Sequence, residues 1–344
     1  MNHKSDPETL FRGAGVEVSP GMSIDEILDK SGLNWEVVVE RPFYGYKVGK
    51  EVQSRGRSIV YRTDTMQDLT YSSNDWKPYQ NRRFLSDFSN FCDRNGLQIE
   101  RIGYLPSGED QFSLGNMVFI TALVPEDLNG VFMLDKDDVT VMRVLAYNYH
   151  TYRRGSGFLT MAERLICTNG MTILTRGMVE TMKHIQSHIG DRQYVSTLLE
   201  SLKVQINSYR ENLKLLASTP VKPGEAFQLF KHLLGSPKKP DDKQEPIVKA
   251  CFSIFQGDMD EVLALQGVDL GMNILSAYQT YYGILQALTA YKTHFSGDVS
   301  SSSYLQSRIQ GKSAKLVNAF YLGLVEKAKK QQQKQQMTSV GIYY

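Results

Sequence analysis

Residues 139–171 read VTVMRVLAYNYHTYRRGSGFLTMAERLICTNGM. Two runs rich in β-branched and aromatic residues flank the small-residue segment that ends at Gly157, and such runs suit a pleated sheet rather than a helix. The second run joins an apolar alternation to a turn signal at Thr168-Asn169-Gly170. The same texture reaches upstream to Trp35. The segments WEVVVERPFY (35–44), SIVYRTDT (58–65) and DLTYSSN (68–74) are short and rich in Val, Thr and Tyr, and Thr65-Met66-Gln67 is a hairpin-length link between the last two. IERIGYL (99–105) and NMVFITALV (116–124) add strands on either side of a turn-rich loop, PSGEDQFSLG. Among them, Phe84, Leu85, Phe88 and Phe91 recur at helical spacing, with Gly96 placed as a C-cap.

After Gly177 the texture becomes helical. Helices are expected over Met178–His188 and Gln193–Ala217. In the second, Val195, Leu198, Leu199, Leu202, Ile206, Tyr209, Leu213 and Leu216 make one apolar face. Thr219-Pro220 stops it and Pro223 opens another short helix. The segment GSPKKPDDKQEP (235–246) reads as a surface loop or hinge. Further helices are expected over Ile274–Phe295 and from Lys312 to about Lys329. The fold class is therefore α+β. A mainly antiparallel sheet domain with a crossing helix occupies residues 1–177, a mainly helical half occupies 178–330, and a polar Gln/Lys-rich tail occupies 331–344. The tail reads as a solvated, frayed helix end, with GIYY at its close as a segment that could dock on a neighbouring subunit.

The chain has 344 residues, and its 39 Lys and Arg against 37 Asp and Glu leave a formal charge of +2, so any polyanion-binding surface has to be local. Cys92, Cys167 and Cys251 lie far apart without a CxxC pair. That excludes a disulfide scaffold and a cysteine zinc cage and suits a reducing, cytoplasmic compartment. The opening residues have no apolar leader segment, and no stretch of about 18 apolar residues would span a membrane.

Enzyme signatures are weak. Gln310-Gly311-Lys312-Ser313 lacks the upstream glycine of a phosphate loop, position 306 being Gln, and reads as a loop with Ser313 as a helix N-cap. His184 and His188 share a helix face without the glutamate of HExxH and without a third ligand. Cys167 sits in an apolar run, where a thiol is inert, and Asp137-Asp138 is a turn-flanking acidic pair. No catalytic residue, metal site or cofactor is expected.

The charge distribution says more. From Arg143 to Arg176 there are five arginines (143, 153, 154, 164 and 176) against one carboxylate, Glu163, a local excess of four in a chain whose total is +2. Tyr147, Tyr149, His150 and Tyr152 interleave with them. Guanidinium groups that hold phosphates beside tyrosine rings that stack on bases suit single-stranded nucleic acid. The candidate residues are Arg143, Tyr149, Tyr152, Arg153, Arg154 and Arg164, joined by Arg82 and Arg83. The last two sit in the first turn of the first helix, where cations oppose the helix dipole unless an anion is supplied. Lys47, Lys50, Arg55, Arg57 and Arg62 could extend the groove. The competing reading is that the tyrosines alternate between core and solvent and the arginines snorkel at the sheet edge.

Several blocks occur in a familiar order: ETLFRGAG, SIDEILDKSGLNWEVVVERPFY, WKPYQNRRFLSDF, AYNYHTYRRGSGFLTMAERLICTNGMTIL and TYYGILQALTAY. In this the chain resembles the phage- and plasmid-borne family known as domain of unknown function 932, over roughly residues 8–328. Arg12-Gly13 stands only in part for the family's histidine-containing element near the start. The family's element order is in turn similar to that of single-strand annealing recombinases. The resemblance implies a mobile-element protein that binds single-stranded DNA, promotes annealing and forms a homo-oligomer. The alternative is a non-catalytic structural protein that assembles through its helical half.

Overall fold

The computed structural model describes residues 11, 14–41, 43–47, 50–53, 57–106, 116–136, 138–151, 154–164, 169–173, 192–234, 244–257, 272, 274–295, 307, 309 and 311–339. In chain order the N-terminal elements are β1 (Val16–Glu17), α1 (Ile24–Ser31), β2 (Val37–Glu40), β3 (Phe43–Lys47), β4 (Lys50–Gln53), β5 (Arg57–Arg62), β6 (Asp68–Ser73) and α2 (Asn81–Asn95). Next come β7 (Gln98–Leu105), β8 (Met117–Leu123), β9 (Val131–Asp135), β10 (Asp138–Tyr149), β11 (Gly157–Arg164) and β12 (Asn169–Ile173). The helices α3 (Arg192–Ser218), α4 (Pro223–Leu234), α5 (Gln244–Gln256), α6 (Tyr281–Ala290) and α7 (Lys312–Ser339) complete the described chain.

The α+β expectation holds. The central sheet is antiparallel, in the order β1-β7-β8-β10-β11-β12, with β9 also paired to β10. β10 is twelve residues long because it serves two neighbours on one side: Val139–Val141 pair with β9, and Arg143–Tyr149 pair with β8. A smaller sheet, β2-β5-β6, and the hairpin β3-β4 lie outside it.

Every residue of β10 and β11 is buried. Even-numbered side chains such as Val118, Ile120, Met142, Val144, Ala146, Phe158 and Ala162 join the main core with α2. Odd-numbered ones, Met117, Phe119, Leu145, Tyr147, Tyr149, Leu159 and Met161, form a second core with Phe11 and Ile309. A sheet covered on both faces has no solvent side, so apolar residues fall on both faces and the sequence shows runs rather than clean alternation, and the charged residues among them are paired internally. The reading in which the tyrosines alternate between core and solvent is thereby corrected. Both Tyr147 and Tyr149 face the second core.

Helix α2 crosses the even face. Phe88 and Phe91 stack on Phe158 of β11 with ring centroids 5.7 and 5.5 Å away, and Gly96 ends the helix in the left-handed conformation (φ 66°) as expected. On the opposite face Phe11 stacks on Phe119 at 5.7 Å. The buried Arg101 donates to the carbonyls of Ala14 and Gly15, both at 3.1 Å. A Cβ on Gly103 would come within 2.6 Å of the Gly15 Cα and 2.7 Å of the Phe119 ring, so the chain can be drawn this close to the sheet only over glycine.

Several boundaries differ from expectation. Asn169 and Gly170 pair with Arg164 and Glu163 as the first residues of β12, so they lie in a strand rather than in the expected turn. The residues 235–246 were expected to be loop, yet Gln244 begins α5, a helix without a clear sequence signal. The helix expected from Ile274 begins at Tyr281 with Thr280 as its N-cap, because residues 274–280 form turns and Gln279 takes φ 50°. The expected helix Met178–His188, the residues Arg55, His184, His188, Cys167 and Arg176, and the terminal GIYY lie outside the described residues. No helix among the described residues is long and apolar enough to cross a membrane.

Phe88→Ala would remove the ring that α2 stacks on Phe158. It is expected to destabilise the protein by about 3–5 kcal/mol, read as a lower denaturation midpoint at unchanged slope in urea.

Candidate nucleic-acid interface

The candidate residues separate into an interior set and a surface set. Arg143 is fully buried. Its Nε donates to Glu100 Oε2 at 2.7 Å and its Nη1 to Glu163 Oε2 at 2.5 Å. The β10–β11 register explains the second contact: Val141 opposes Glu163, which puts Glu163 diagonal to Arg143 on the same face. The first contact depends on a register shift in β7 between Ile99 and Arg101, which leaves Glu100 unmatched across to β8. Burial works against the charge of Arg143. Glu163 and Glu100 outweigh it and hold the guanidinium pKa above its usual value.

Arg164 is equally committed. Its Nε and Nη2 donate to the two carboxylate oxygens of Asp138 at 2.7 and 3.0 Å, with both side chains buried. The Ser276 hydroxyl donates to the same carboxylate. Asp138, which flanks the β9–β10 turn as the first residue of β10, is thus buried and paired, and it ties the sheet to the turn before α6. Tyr149 is also interior: it is 4% exposed, packs edge-on to Tyr147 at 5.7 Å, and burial raises its hydroxyl pKa. These placements correct the assignment of Arg143, Arg164 and Tyr149 to a nucleic-acid surface, because paired and desolvated groups present nothing to a phosphate or a base. Tyr152 and Arg153 lie outside the described residues.

Arg82, Arg83 and Arg154 are exposed, the first two at the start of α2 and the third beyond the end of β10. Asn81 Oδ1 meets His150 Nε2 at 2.7 Å, Asn148 Nδ2 donates to the Tyr79 carbonyl at 2.8 Å, and the Ser156 hydroxyl donates to Asn148 Oδ1 at 2.7 Å. These bonds clamp the start of α2 against the end of β10 and the loop that carries Arg154. The guanidinium of Arg154 caps the Tyr149 ring at 5.9 Å. Arg82 pairs with Asp25 of α1 at 2.5 Å, both groups exposed, and the exposed Arg83 with the half-buried Asp87 at 3.5 Å. Pairs of this kind contribute little and exchange easily for another anion. Gln80, at the N-cap, makes no side-chain cap, since its amide is bonded to the Val37 N–H and C=O at 2.9 Å each. The first turn of α2 carries no acid, only two arginines. Free N–H groups at a helix start together with guanidinium groups attract phosphate.

The family described as Domain of unknown function (DUF932) matches residues 68–339. The chain belongs to this family. No curated protein and no solved structure matches the chain. The family's match begins at the first residue of β6, so it takes in the sheet from β7 to β12, α2 and the helical half. Within the DUF932 region the motif Tyr79-Gln80-Asn81 is an interior hub. The Tyr79 hydroxyl donates to Asp87 at 2.6 Å, Gln80 extends β2, and Asn81 Nδ2 donates to the Leu33 carbonyl at 3.1 Å.

Sequence reasoning passed over the groups that organise this junction, above all His150 and Asn81. With Asn81 Nδ2 donating elsewhere, its Oδ1 accepts and His150 Nε2 carries the proton. Nδ1 then has no partner among the described residues. Burial, aided by the charge of Arg62, depresses the His150 pKa to about 3. The only advance signal was its place within a run of strand residues.

A histidine held neutral at so low a pKa makes stability pH-dependent. Its contribution is complete above its unfolded pKa of about 6.5 and declines as pH falls from there towards 3. Denaturant unfolding at pH 7, 6, 5 and 4 is expected to show this loss, at up to about 1.4 kcal/mol per pH unit, and His150→Gln is expected to flatten it. Arg164→Met strands the Asp138 carboxylate and is expected to cost about 3–5 kcal/mol. The double variant Arg164→Met with Asp138→Leu is expected to recover most of that loss in the same measurement.

Proposed function

We propose that this member of the DUF932 family binds single-stranded DNA, as a non-enzymatic protein of a mobile element that acts in annealing during replication or recombination. One observation carries the reading. Hydrogen bonds through Asn81, His150 and Asn148 lock the start of α2, whose first turn carries the exposed Arg82 and Arg83 and no acid, to the end of β10, beyond which the exposed Arg154 follows. Phosphate contacts of this kind position a strand without reading its sequence, as annealing requires. The interior arginines Arg143 and Arg164 have no part in the interface. The phage or plasmid setting rests on the resemblance of the sequence blocks. Cys92 and Cys251 are free, buried thiols, which suits a reducing cytoplasm.

A second reading, assembly into a homo-oligomer, is favoured by one feature: Leu275 and Tyr278 are 78% and 56% exposed, three residues apart in the turns before α6. Leu275→Ser with Tyr278→Ser is expected to lower the mass seen by light scattering if that turn lies in a subunit contact.

For the first reading, fluorescence anisotropy with a labelled oligonucleotide is expected to show affinity falling as salt rises. Replacement of Arg82, Arg83 and Arg154 by Gln is expected to make the log–log salt slope shallower by about 0.7 for every phosphate no longer neutralised. Absence of binding at low salt would overturn the proposal.

A further inference from the structure

Helix α7 does not fray where the polar tail begins. It runs unbroken from Lys312 to Ser339. Its packed face carries Tyr321, Leu324, Val325 and Ala328, all buried, and Ala328 is the last of them. From Lys329 to Gln336 each residue is exposed except the half-buried Gln331, so this part of the helix is not held by the core. Residues 327–336 read KAKKQQQKQQ, with four lysines and no carboxylate.

Such a helix is poorly suited to standing alone. Lys330 and Lys334 repel at i, i+4, and Glu326, bonded to Lys330 at 2.6 Å, is the only acid within the helix. The helix dipole favours lysines in the final turn, but Lys327, Lys329 and Lys330 lie more than two turns before Ser339. At about 100° per residue, Lys327, Lys330 and Lys334 fall within roughly 60° of one another along about 10 Å of axis, with Lys330 and Lys334 exposed and Lys327 half-buried at the edge of the packed face. Glutamines fill the remaining positions with neutral hydrogen-bond donors and acceptors. The absence of large apolar side chains from residues 329–336 argues against insertion into a lipid surface, which needs an apolar face. A regular stripe of cations beside amides suits a phosphodiester backbone.

We propose that the projecting end of α7 is a second nucleic-acid contact, in which Lys327, Lys329, Lys330 and Lys334 bind backbone phosphates. The inference rests on the nucleic-acid reading above and adds to it an element on the helical half of the chain.

The test uses the full-length protein, a labelled single-stranded oligonucleotide and a salt series. Replacement of the four lysines by Gln is expected to weaken binding roughly tenfold or more near 0.1 M salt and to reduce the slope by about 0.7 for each lysine that neutralises a phosphate. Replacement of all four by Arg is expected to preserve both. Unchanged affinity and slope in the Gln variant, with loss in the variant at Arg82, Arg83 and Arg154, would overturn the arm and leave the proposed function standing. Loss in the Arg variant as well would also overturn it, since charge would not be the cause. No binding by the unaltered protein at low salt would remove both proposals. Binding to phosphatidylserine vesicles that the Gln variant loses, with oligonucleotide affinity intact, would assign the arm to a membrane surface instead.

Discussion

The structure depends on a strand, β10, that is buried along its whole length. A sheet covered on both faces excludes water from the charged groups it carries, so each arginine on it must bring its own counter-charge. Arg143 has Glu100 and Glu163, and Arg164 has Asp138. The Arg143 pairs link β7, β10 and β11 on the odd-numbered face, and the Arg164–Asp138 pair, on the even-numbered face, joins the sheet to the turn before α6 through Ser276. They hold the two halves of the chain in one arrangement, and the main hydrophobic core runs continuously through both.

A second set of polar contacts performs a different task at the other end of β10. Asn81, Asn148 and His150 are buried and satisfy backbone groups of the segments around them, so the start of α2 is locked to the strand end. At the surface, α2 there carries the exposed Arg82 and Arg83, and the exposed Arg154 follows the end of β10. Tyr79-Gln80-Asn81, within the DUF932 region, builds this junction, while Arg82 and Arg83 next to it are exposed and charged.

Much of the fold was legible. The helix of Phe84, Phe88 and Phe91 with Gly96 as its stop is visible because helical periodicity and a left-handed cap are local properties. The strands β5 to β8, β10 and β11 are visible through their residue types, whereas the short β9 was passed over. α5 escaped notice because its first residues, Gln244 to Pro246, belong in composition to the polar segment before them. Arg154, Arg82 and Arg83 were legible as surface cations, whereas Arg143 and Arg164 were misassigned, because a count of charges along the chain does not include partners that arrive from elsewhere. Glu100 lies 43 residues from Arg143 and Asp138 lies 26 residues from Arg164.

By itself the sequence determined the α+β class, the order of sheet before helices, the extent of α3 and the local excess of arginine, all of which follow from the identity and spacing of neighbouring residues. Only the tertiary structure decided which of those arginines reach solvent. Burial and ion pairing are set by strand register and by contacts between distant segments, and the antiparallel register of β10 with β11 places Glu163 beside Arg143. The same dependence on distant contacts locks the start of α2 to the end of β10 and leaves the lysines beyond Ala328 outside the core.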